Sequence, residues 1–218
     1  MAGTAKWEDD LAPLLNPEPP APARQGGSSL GIDGVAPAEW AGLIVGALRR
    51  HEVGLVSYVP DGALAPLIER FQADVAVTCF TSTREDEAIA IAAGAALGGL
   101  RSVAMMQSSG FGNVSNALAS LTTPYQIPMV LIVTERGILG EFNPVQTPIT
   151  RVIRPTLDAL GIPHATVERL DEVQFLADRI ASQAYRTNQV GVLILSPKLT
   201  GGKTEPGSAS ARSTRTAA

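Results

Sequence analysis

The chain has 218 residues, of which 45% are hydrophobic and 17% are charged, and its formal net charge is -4 at pH 7. This length suits one α/β domain with tails, and the apolar share is enough for a core. The acidic balance argues against a nucleic-acid partner, and the single cysteine, Cys79, excludes a disulfide framework within the chain.

The two ends of the chain differ in composition from its middle. Residues 1–35 are rich in proline, glycine and serine, and residues 199–218 have a similar bias, so both are expected to be disordered tails around a domain at 36–198. No run of about 18 apolar residues predicts a membrane span. The N-terminus lacks the basic and apolar regions of a secretory signal, so the cytoplasm is the expected compartment.

Helices and strands alternate along the middle of the chain. Helices are expected over 37–50, 63–71, 85–98, 113–121, 156–160 and 171–186, and strands over 53–59, 75–80, 102–106, 128–134, 163–167 and 190–195. Strands that are apolar throughout are buried on both faces. The pattern predicts an α/β fold, a doubly wound, mostly parallel six-stranded sheet with helices on both faces. Ligands of such sheets bind at the carboxyl ends of strands, here the loops around Pro60, Ser82, Gln107 and Thr134.

The first segment whose polar residues could take part in binding or catalysis runs from Thr83 to Gly94. Three carboxylates, those of Glu85, Asp86 and Glu87, stand at the start of a helix made almost wholly of Ala, Ile and Gly. Favourable charge at a helix N-terminus explains them without any function. Because the helix is apolar on nearly every face, its first turn is also expected near an interface, where a carboxyl group can share a proton with a ligand nitrogen.

The second segment is a Gly- and Ser-rich turn that follows the strand over 102–106. Its exposed backbone N–H groups could receive an anionic or polar ligand, although a plain strand-to-helix turn has the same pattern. Neither a dinucleotide-binding Gly-x-Gly-x-x-Gly after a strand nor a Walker A sequence occurs. The residues of this turn that we single out are Gln107, Ser108, Ser109, Gly110 and Asn113.

The third segment is the long loop expected over 136–148. Long irregular loops inside compact domains are usually functional or mobile. Arg136 in this loop could bind a carboxylate, phosphonate or sulfonate, and it could equally be a surface arginine on a solvated loop.

Taken together, the three segments resemble the pyrimidine-binding domain of thiamine-diphosphate enzymes, over roughly residues 36–198. Arg84-Glu85 is followed by the Ala/Gly-rich helix, with Gly94 nine residues after Glu85. The runs over 105–118 and 136–163 are similar to sulfopyruvate and phosphonopyruvate decarboxylases. The order of the segments also matches, and the similarity is greatest to the sulfopyruvate decarboxylase alpha subunit, a separate chain that carries only this domain.

The resemblance implies roles for individual residues. Glu85 is implied to contact N1′ of the aminopyrimidine, which favours the tautomer whose exocyclic nitrogen takes the proton from C2 of the thiazolium. The implied reaction converts an acidic 2-oxoacid, such as sulfopyruvate or phosphonopyruvate, into an aldehyde and CO2. Further cofactor-binding residues are expected at Pro60, Gln107, Ser108, Ser109, Gly110 and Asn113, and substrate-binding residues at Arg136, Gln146 and Arg151.

The sequence also departs from a complete enzyme of this superfamily. The Gly-Asp-Gly that begins the magnesium and diphosphate motif is absent: Asp33 lies in Gly-Ile-Asp-Gly and Asp61 in Pro-Asp-Gly. Thiamine diphosphate and Mg2+ are therefore expected to be held mainly by a beta-type, diphosphate-binding subunit, with no metal ligand in this chain. A hetero-oligomer that also self-associates is expected, and assembly would bury the Ala/Gly-rich helix.

Two questions stay open at the level of sequence. Many relatives have Gly or Ala where this chain has Glu87, so Asp86 and Glu87 compete with Glu85 as the carboxylate that faces the cofactor. The nine-residue spacing to Gly94 favours Glu85. The function also has alternatives: carboligation, decarboxylation of another 2-oxoacid, or a non-catalytic regulatory subunit of the same fold.

Overall fold

The computed structural model describes residues 39–138 and 140–202 of the chain. The tail predicted at 1–35 and residues 203–218 lie outside the described part. The helices are α1 Glu39–Arg50, α2 Ala65–Gln72, α3 Glu85–Leu97, α4 Phe111–Ala117, α5 Gln146–Ala159, α6 Leu170–Thr187 and α7 Pro197–Thr200. The strands are β1 Val53–Tyr58, β2 Thr78–Thr81, β3 Arg101–Gln107, β4 Met129–Thr134, β5 His164–Val167 and β6 Val190–Leu195.

The six strands form one parallel sheet in the order β2-β1-β3-β4-β6-β5. One hydrophobic cluster joins the sheet to α1, α2 and α6, and a second joins it to α3, α4 and α5. The predicted doubly wound sheet with helices on both faces is confirmed, and its strands are all parallel. None of the helices in the described ranges has the length and hydropathy needed to span a membrane.

The central strands of the sheet are buried on both faces. Strands β4 and β6 are buried along their whole length, and only the end residues of β3 reach solvent. Such strands need apolar side chains on both faces, which the runs Met-Val-Leu-Ile-Val and Val-Gly-Val-Leu-Ile-Leu provide. Alternate residues of β4 accordingly enter different clusters, Ile132 the first and Leu131 the second.

The strand order creates a crevice between β1 and β3. The chain leaves β1 towards β2 on one side and leaves β3 towards β4 on the other. In open parallel sheets, ligands bind outside the carboxyl ends of strands at such a reversal. This position brings the loop after Tyr58 next to the turn after Gln107.

Strand β2 differs from its prediction. It begins at Thr78, because Val75, Ala76 and Val77 form a turn rather than an extended strand. The carboxylate of Asp74 accepts a hydrogen bond from the Ala76 N–H, and its carbonyl accepts one from the Val77 N–H. The strand lies at the edge of the sheet and is mostly exposed, so the expectation of burial on both faces was wrong for β2.

Helix α5 is the largest difference from the prediction. The predicted helix over 156–160 is present, but it begins ten residues earlier than expected, since one helix covers Gln146–Ala159 and the loop does not extend to Pro148. Pro148 lies in the first turn, where a backbone N–H has no acceptor within the helix. Pro155 lies inside the helix, and the buried side chains of Ile153 and Leu157 on either side of it hold the helix on the core.

Candidate cofactor site

The crevice between β1 and β3 brings together side chains that are far apart in sequence. Glu85 is the first residue of α3, and its Oε2 accepts a hydrogen bond of 2.8 Å from Nδ2 of Asn113 on α4. The N-terminus of α3 also carries the positive end of the helix dipole, which favours a carboxylate there. Two of the three sequence segments therefore meet at the Glu85 carboxyl group.

Gly110 is the residue that makes room for Glu85. A Cβ at Gly110 would come well under 3.0 Å from Cγ, Cδ and Oε1 of Glu85, a separation that real Cβ atoms essentially never show. The backbone of Gly110 has ordinary helical angles, φ -81° and ψ -14°. Glycine is therefore required here for the space that Glu85 occupies, and conformational freedom is not the reason.

The two competing carboxylates make only local contacts. Asp86 accepts a hydrogen bond of 3.0 Å from Nε of Arg84, and this bond holds the pKa of Asp86 below its usual range. Glu87 accepts hydrogen bonds from the backbone N–H and the hydroxyl group of Thr83, and the backbone bond is the larger cause of its lowered pKa. Among these three carboxylates, the hydrogen bond to α4 belongs to Glu85, which is consistent with the preference drawn from the Gly94 spacing.

Helix α3 is fixed to the sheet by two buried serines. The hydroxyl group of Ser57 on β1 donates to the carbonyl of Ala88 at 2.6 Å. The hydroxyl group of Ser102 on β3 donates to the carbonyl of Ala92 at 2.8 Å. Both serines are fully buried, so these bonds form away from water and set the height of α3, and thus of Glu85, above the sheet.

A second polar network lies at the same end of β1 and β3. Nε2 of Gln107 donates to Oδ2 of Asp61 at 2.5 Å, and the Ser109 hydroxyl group donates to Oε1 of Gln107 at 2.7 Å. Oδ1 of Asp61 also accepts a bond from the Ala63 N–H. Pro60, exposed, precedes Asp61 in this loop. From the sequence, Asp61 was considered only as a possible metal ligand. Its place in the loop that follows β1, one of the two strands that border the crevice, is the signal that could have identified it.

The hydroxyl group of Ser108 is already bound within the chain. Its side chain is fully buried, and its Oγ accepts a hydrogen bond of 3.0 Å from the Arg136 N–H. This bond ties the turn after β3 to the loop after β4.

Arg136 is engaged within its own loop. Its Nε donates to Oε2 of Glu141 at 2.8 Å, and its Nη2 donates to Oε1 of the same carboxylate. Glu141 also accepts from the backbone N–H groups of Gly137 and Asn143, and the bond to Arg136 is the main reason that its pKa falls to about 2. The loop is therefore organised around one buried carboxylate, and much of the Arg136 charge is neutralised there.

The other two predicted substrate-binding residues lie on α5. Gln146 is its first residue, half-buried, and Arg151 is exposed. Within the described residues, no hydrogen bond or ion pair joins Arg136, Gln146 or Arg151 to Glu85.

A cavity of about 240 Å³ opens at the carboxyl ends of β4 and β6. Its lining includes Glu135, Arg136, Glu141 and Lys198, and Glu85 is not part of it. Glu135 is nearly fully buried and binds Nη1 of Arg154 at 2.5 Å. Since acids and bases balance in this lining, the cavity is not strongly charged. In the described ranges, no group of three or more His, Cys, Asp or Glu side chains could hold a metal ion.

Comparison with known proteins gives consistent matches. The family described as thiamine pyrophosphate enzyme, N-terminal TPP binding domain, matches residues 39–148, which include Glu85 and Asn113 but not Arg151. The sulfopyruvate decarboxylase subunit alpha of Methanocaldococcus jannaschii is 36% identical over 143 residues, covering 66% of this chain and 85% of that protein. The phosphonopyruvate decarboxylase of Streptomyces viridochromogenes is 39% identical over 155 residues, covering 69% of this chain and 39% of that protein.

A solved structure supports the fold. The 2-oxoglutarate:ferredoxin oxidoreductase from Magnetococcus marinus aligns with a TM-score of 0.56 over 76% of this chain and 29% of that chain. At 14% identity, this likeness concerns the fold alone.

Proposed function

The chain belongs to the family of thiamine pyrophosphate enzymes, and from this premise we propose that it is the pyrimidine-binding subunit of a split 2-oxoacid decarboxylase. Its substrate is an acidic 2-oxoacid of the sulfopyruvate or phosphonopyruvate type, in keeping with the names of its relatives. The observation that carries the proposal is the Glu85 carboxyl group, which is held at the start of α3 by Asn113 in the space left by Gly110.

The residues of this site fit an aminopyrimidine ring. Thiamine diphosphate, when bound, supplies the electron sink that lets a 2-oxoacid lose CO2. Asn113 occupies Oε2 of Glu85 and fixes the orientation of the carboxyl group, which leaves Oε1 to hold a proton at ring nitrogen N1′. Gly110 keeps that position free of a side chain. The network of Asp61, Gln107 and Ser109 lies at the same sheet edge and is suited to polar contacts with the cofactor or substrate.

The remaining half of the site is assigned to a partner. Two relatives that this chain covers over 85% and 83% of their length are named as alpha subunits. These 218 residues contain no Gly-Asp-Gly. We therefore assign Mg2+ and the diphosphate to a beta-type subunit, with the active site at the interface and further self-association into a hetero-oligomer.

The distal anion of the substrate needs a cation, and the two candidate arginines differ in availability. Arg136 already shares its charge with Glu141, whereas Arg151 is exposed and has no ion pair within the described residues. Substituting each by Gln in the assembled enzyme separates them, because loss of the anion contact raises KM for sulfopyruvate more than for pyruvate.

The proposal is tested by comparing Glu85→Gln with its neighbour Asp86→Asn in the complex of this chain with its beta-type subunit. A proton-holding role predicts that Glu85→Gln lowers kcat by about 100-fold or more. Asp86→Asn should stay within a few-fold of wild type, because Asp86 is bound to Arg84. CO2 release from a panel of 2-oxoacids is the readout, and circular dichroism checks that both variants fold.

The outcome decides among the alternatives. Full activity of Glu85→Gln would remove Glu85 from catalysis. CO2 release accompanied by a carbon–carbon bond to a second carbonyl compound, in place of a free aldehyde, would assign the complex to carboligation. Tight binding of thiamine diphosphate and Mg2+ by this chain alone, measured by calorimetry, would refute the split site.

A further inference from the structure

The cavity at the carboxyl ends of β4 and β6 is separate from the cofactor crevice. It lies two strands away from the crevice between β1 and β3, which is about 10 Å along the sheet edge at the usual strand spacing. Of the described residues, neither Glu85 nor Asn113 lines it. Its volume of about 240 Å³ is below the range of about 300–1,000 Å³ that is usual for drug-sized ligands, so it suits a smaller molecule.

Glu135 offers this cavity an unused hydrogen-bond acceptor. Its side chain is only 2% exposed, and it lines the cavity. Oε1 accepts a hydrogen bond from Nη1 of Arg154, and within residues 39–138 and 140–202 no group donates to Oε2. A buried carboxylate oxygen that has lost water needs another donor, because leaving it unbonded is costly. The open side from which that donor can come is the cavity.

The second carboxylate of the lining, Glu141, has no such vacancy. Its Oε2 accepts bonds from Nε of Arg136 and the Gly137 N–H, and its Oε1 accepts bonds from Nη2 of Arg136 and the Asn143 N–H. Glu135 is therefore the carboxylate that is left to bind a ligand. An ammonium group is the donor that suits it best, since hydrogen bonds between charged groups are roughly twice as strong as neutral ones.

Lys198 gives the cavity a cation that is easily released from its partner. It lies in the first turn of α7, and its Nζ binds Oε2 of Glu168 at 2.7 Å. The two side chains are 59% and 45% exposed, and ion pairs between such exposed groups contribute little to stability. An anionic group inside the cavity can therefore replace Glu168 as the partner of Lys198 at little cost.

We propose that this cavity binds a small amino acid, with its ammonium group on Oε2 of Glu135 and its carboxylate on Lys198. The lining carries balanced charges, so a ligand with one charge of each sign leaves neither unpaired. Ile138 and Pro197, which also line the cavity, suit a short apolar side chain. The inference does not rest on the proposed function, because the cofactor crevice contributes none of these residues.

The test is a calorimetric titration of the full 218-residue chain with each of the standard L-amino acids. For the amino acid that binds best, the analogue without the amino group and the analogue without the carboxyl group are titrated in the same way. Three variants are compared, Glu135→Gln, Lys198→Gln and Glu168→Gln. Glu168→Gln is the matched control, because Glu168 shares the ion pair with Lys198 but does not line the cavity.

Both Glu135→Gln and Lys198→Gln are expected to lower the affinity about tenfold or more, as are both analogues, because each change removes one charge-assisted hydrogen bond. Glu168→Gln should bind at least as well as wild type, since it releases Lys198. The inference is overturned if none of the amino acids binds, if the analogue without the amino group binds equally well, or if Lys198→Gln and Glu168→Gln lose the same affinity. Should Glu135→Gln fail to fold, as judged by circular dichroism, the two analogues decide on the wild-type chain.

Sulfopyruvate separates this inference from the proposed function, because it has two anionic groups and no ammonium group. Binding of sulfopyruvate to this chain alone, lost in Lys198→Gln and kept in Glu135→Gln, would make the cavity a substrate site and overturn the inference, with the decarboxylase left standing. Amino-acid binding with the expected pattern, in a chain whose complex binds no thiamine diphosphate and releases no CO2, would support the inference and refute the decarboxylase.

Discussion

Gly110→Ala tests whether the position of Glu85 controls the reaction. The backbone at Gly110 has helical angles that alanine adopts without strain, so the substitution should not destabilise the turn itself. The new methyl group would collide with Cγ, Cδ and Oε1 of Glu85. The variant therefore displaces one carboxyl group and leaves the fold in place.

The size of the effect follows from the displacement. The new Cβ would lie well under 3.0 Å from three atoms of Glu85, and ordinary van der Waals contact begins at 3.4 Å. The Glu85 side chain must therefore move away until that separation is reached. A shift on the order of 1 Å in a positioned group costs roughly 100-fold in rate, or about 2.7 kcal/mol of transition-state stabilisation. It also pulls Oε2 away from Asn113, whose bond is 2.8 Å long.

The assay is kcat for CO2 release by the assembled enzyme, together with the Kd of thiamine diphosphate from calorimetry. Gly112→Ala is the matched control: its Cβ would lie 3.1 Å from Cδ1 of Ile149, a mobile side-chain tip that can move aside. We expect a large loss of kcat for Gly110→Ala and little for Gly112→Ala. A kcat within about threefold of wild type for Gly110→Ala would refute the reasoning that Glu85 acts from this position.

Two further predictions concern the loop after β4. The pKa of Glu141 falls from 4.5 unfolded to about 2 folded, so its contribution is complete above pH 4.5 and is lost as the pH falls towards 2. Glu141→Gln should lower the free energy of unfolding at pH 7 by up to about 3 kcal/mol and flatten its dependence between pH 4.5 and 2, measured by urea titration. An unchanged acid profile would contradict this. Gly137→Ala should destabilise by roughly 1–3 kcal/mol, since Gly137 has φ 78° and an added Cβ would strike the Gln146 carbonyl; a Tm equal to that of wild type would show that the loop relaxes freely.

The sheet was predictable because most of its strands are apolar runs separated by helical segments. For β6, both ends of the predicted strand, 190 and 195, agree with the structure. The errors have local causes. The run Val75-Ala76-Val77 has strand composition, but the Asp74 carboxylate and carbonyl bind the following N–H groups and form a turn. The first part of α5 was missed because the loop was expected to extend to Pro148, although proline costs little in the first turn of a helix.

The candidate site was predictable only in parts. The sequence indicated Glu85 and the turn with Gly110 and Asn113 as separate segments, and their contact depends on the strand order, which no local pattern encodes. The bond between Asp61 and Gln107 joins the loop after β1 to the last residue of β3, and it was missed for the same reason. The Arg136–Glu141 pair joins two residues of a single loop, yet it depends on burial of the carboxylate, which loop composition does not indicate.

The edge strand β2 lacks the charged residues that usually prevent one sheet edge from pairing with another. From Val75 to Thr83 the chain has no charged residue, and Phe80 on this strand is 44% exposed. Natural edge strands are commonly guarded by lysine or another charge, because an open edge can pair with the same edge of another molecule. The four-residue length of β2 limits how far such pairing can extend, so its shortness takes the place of a guarding charge. Lengthening this uncharged edge, or adding apolar residues to it, is therefore expected to promote association between copies of the chain.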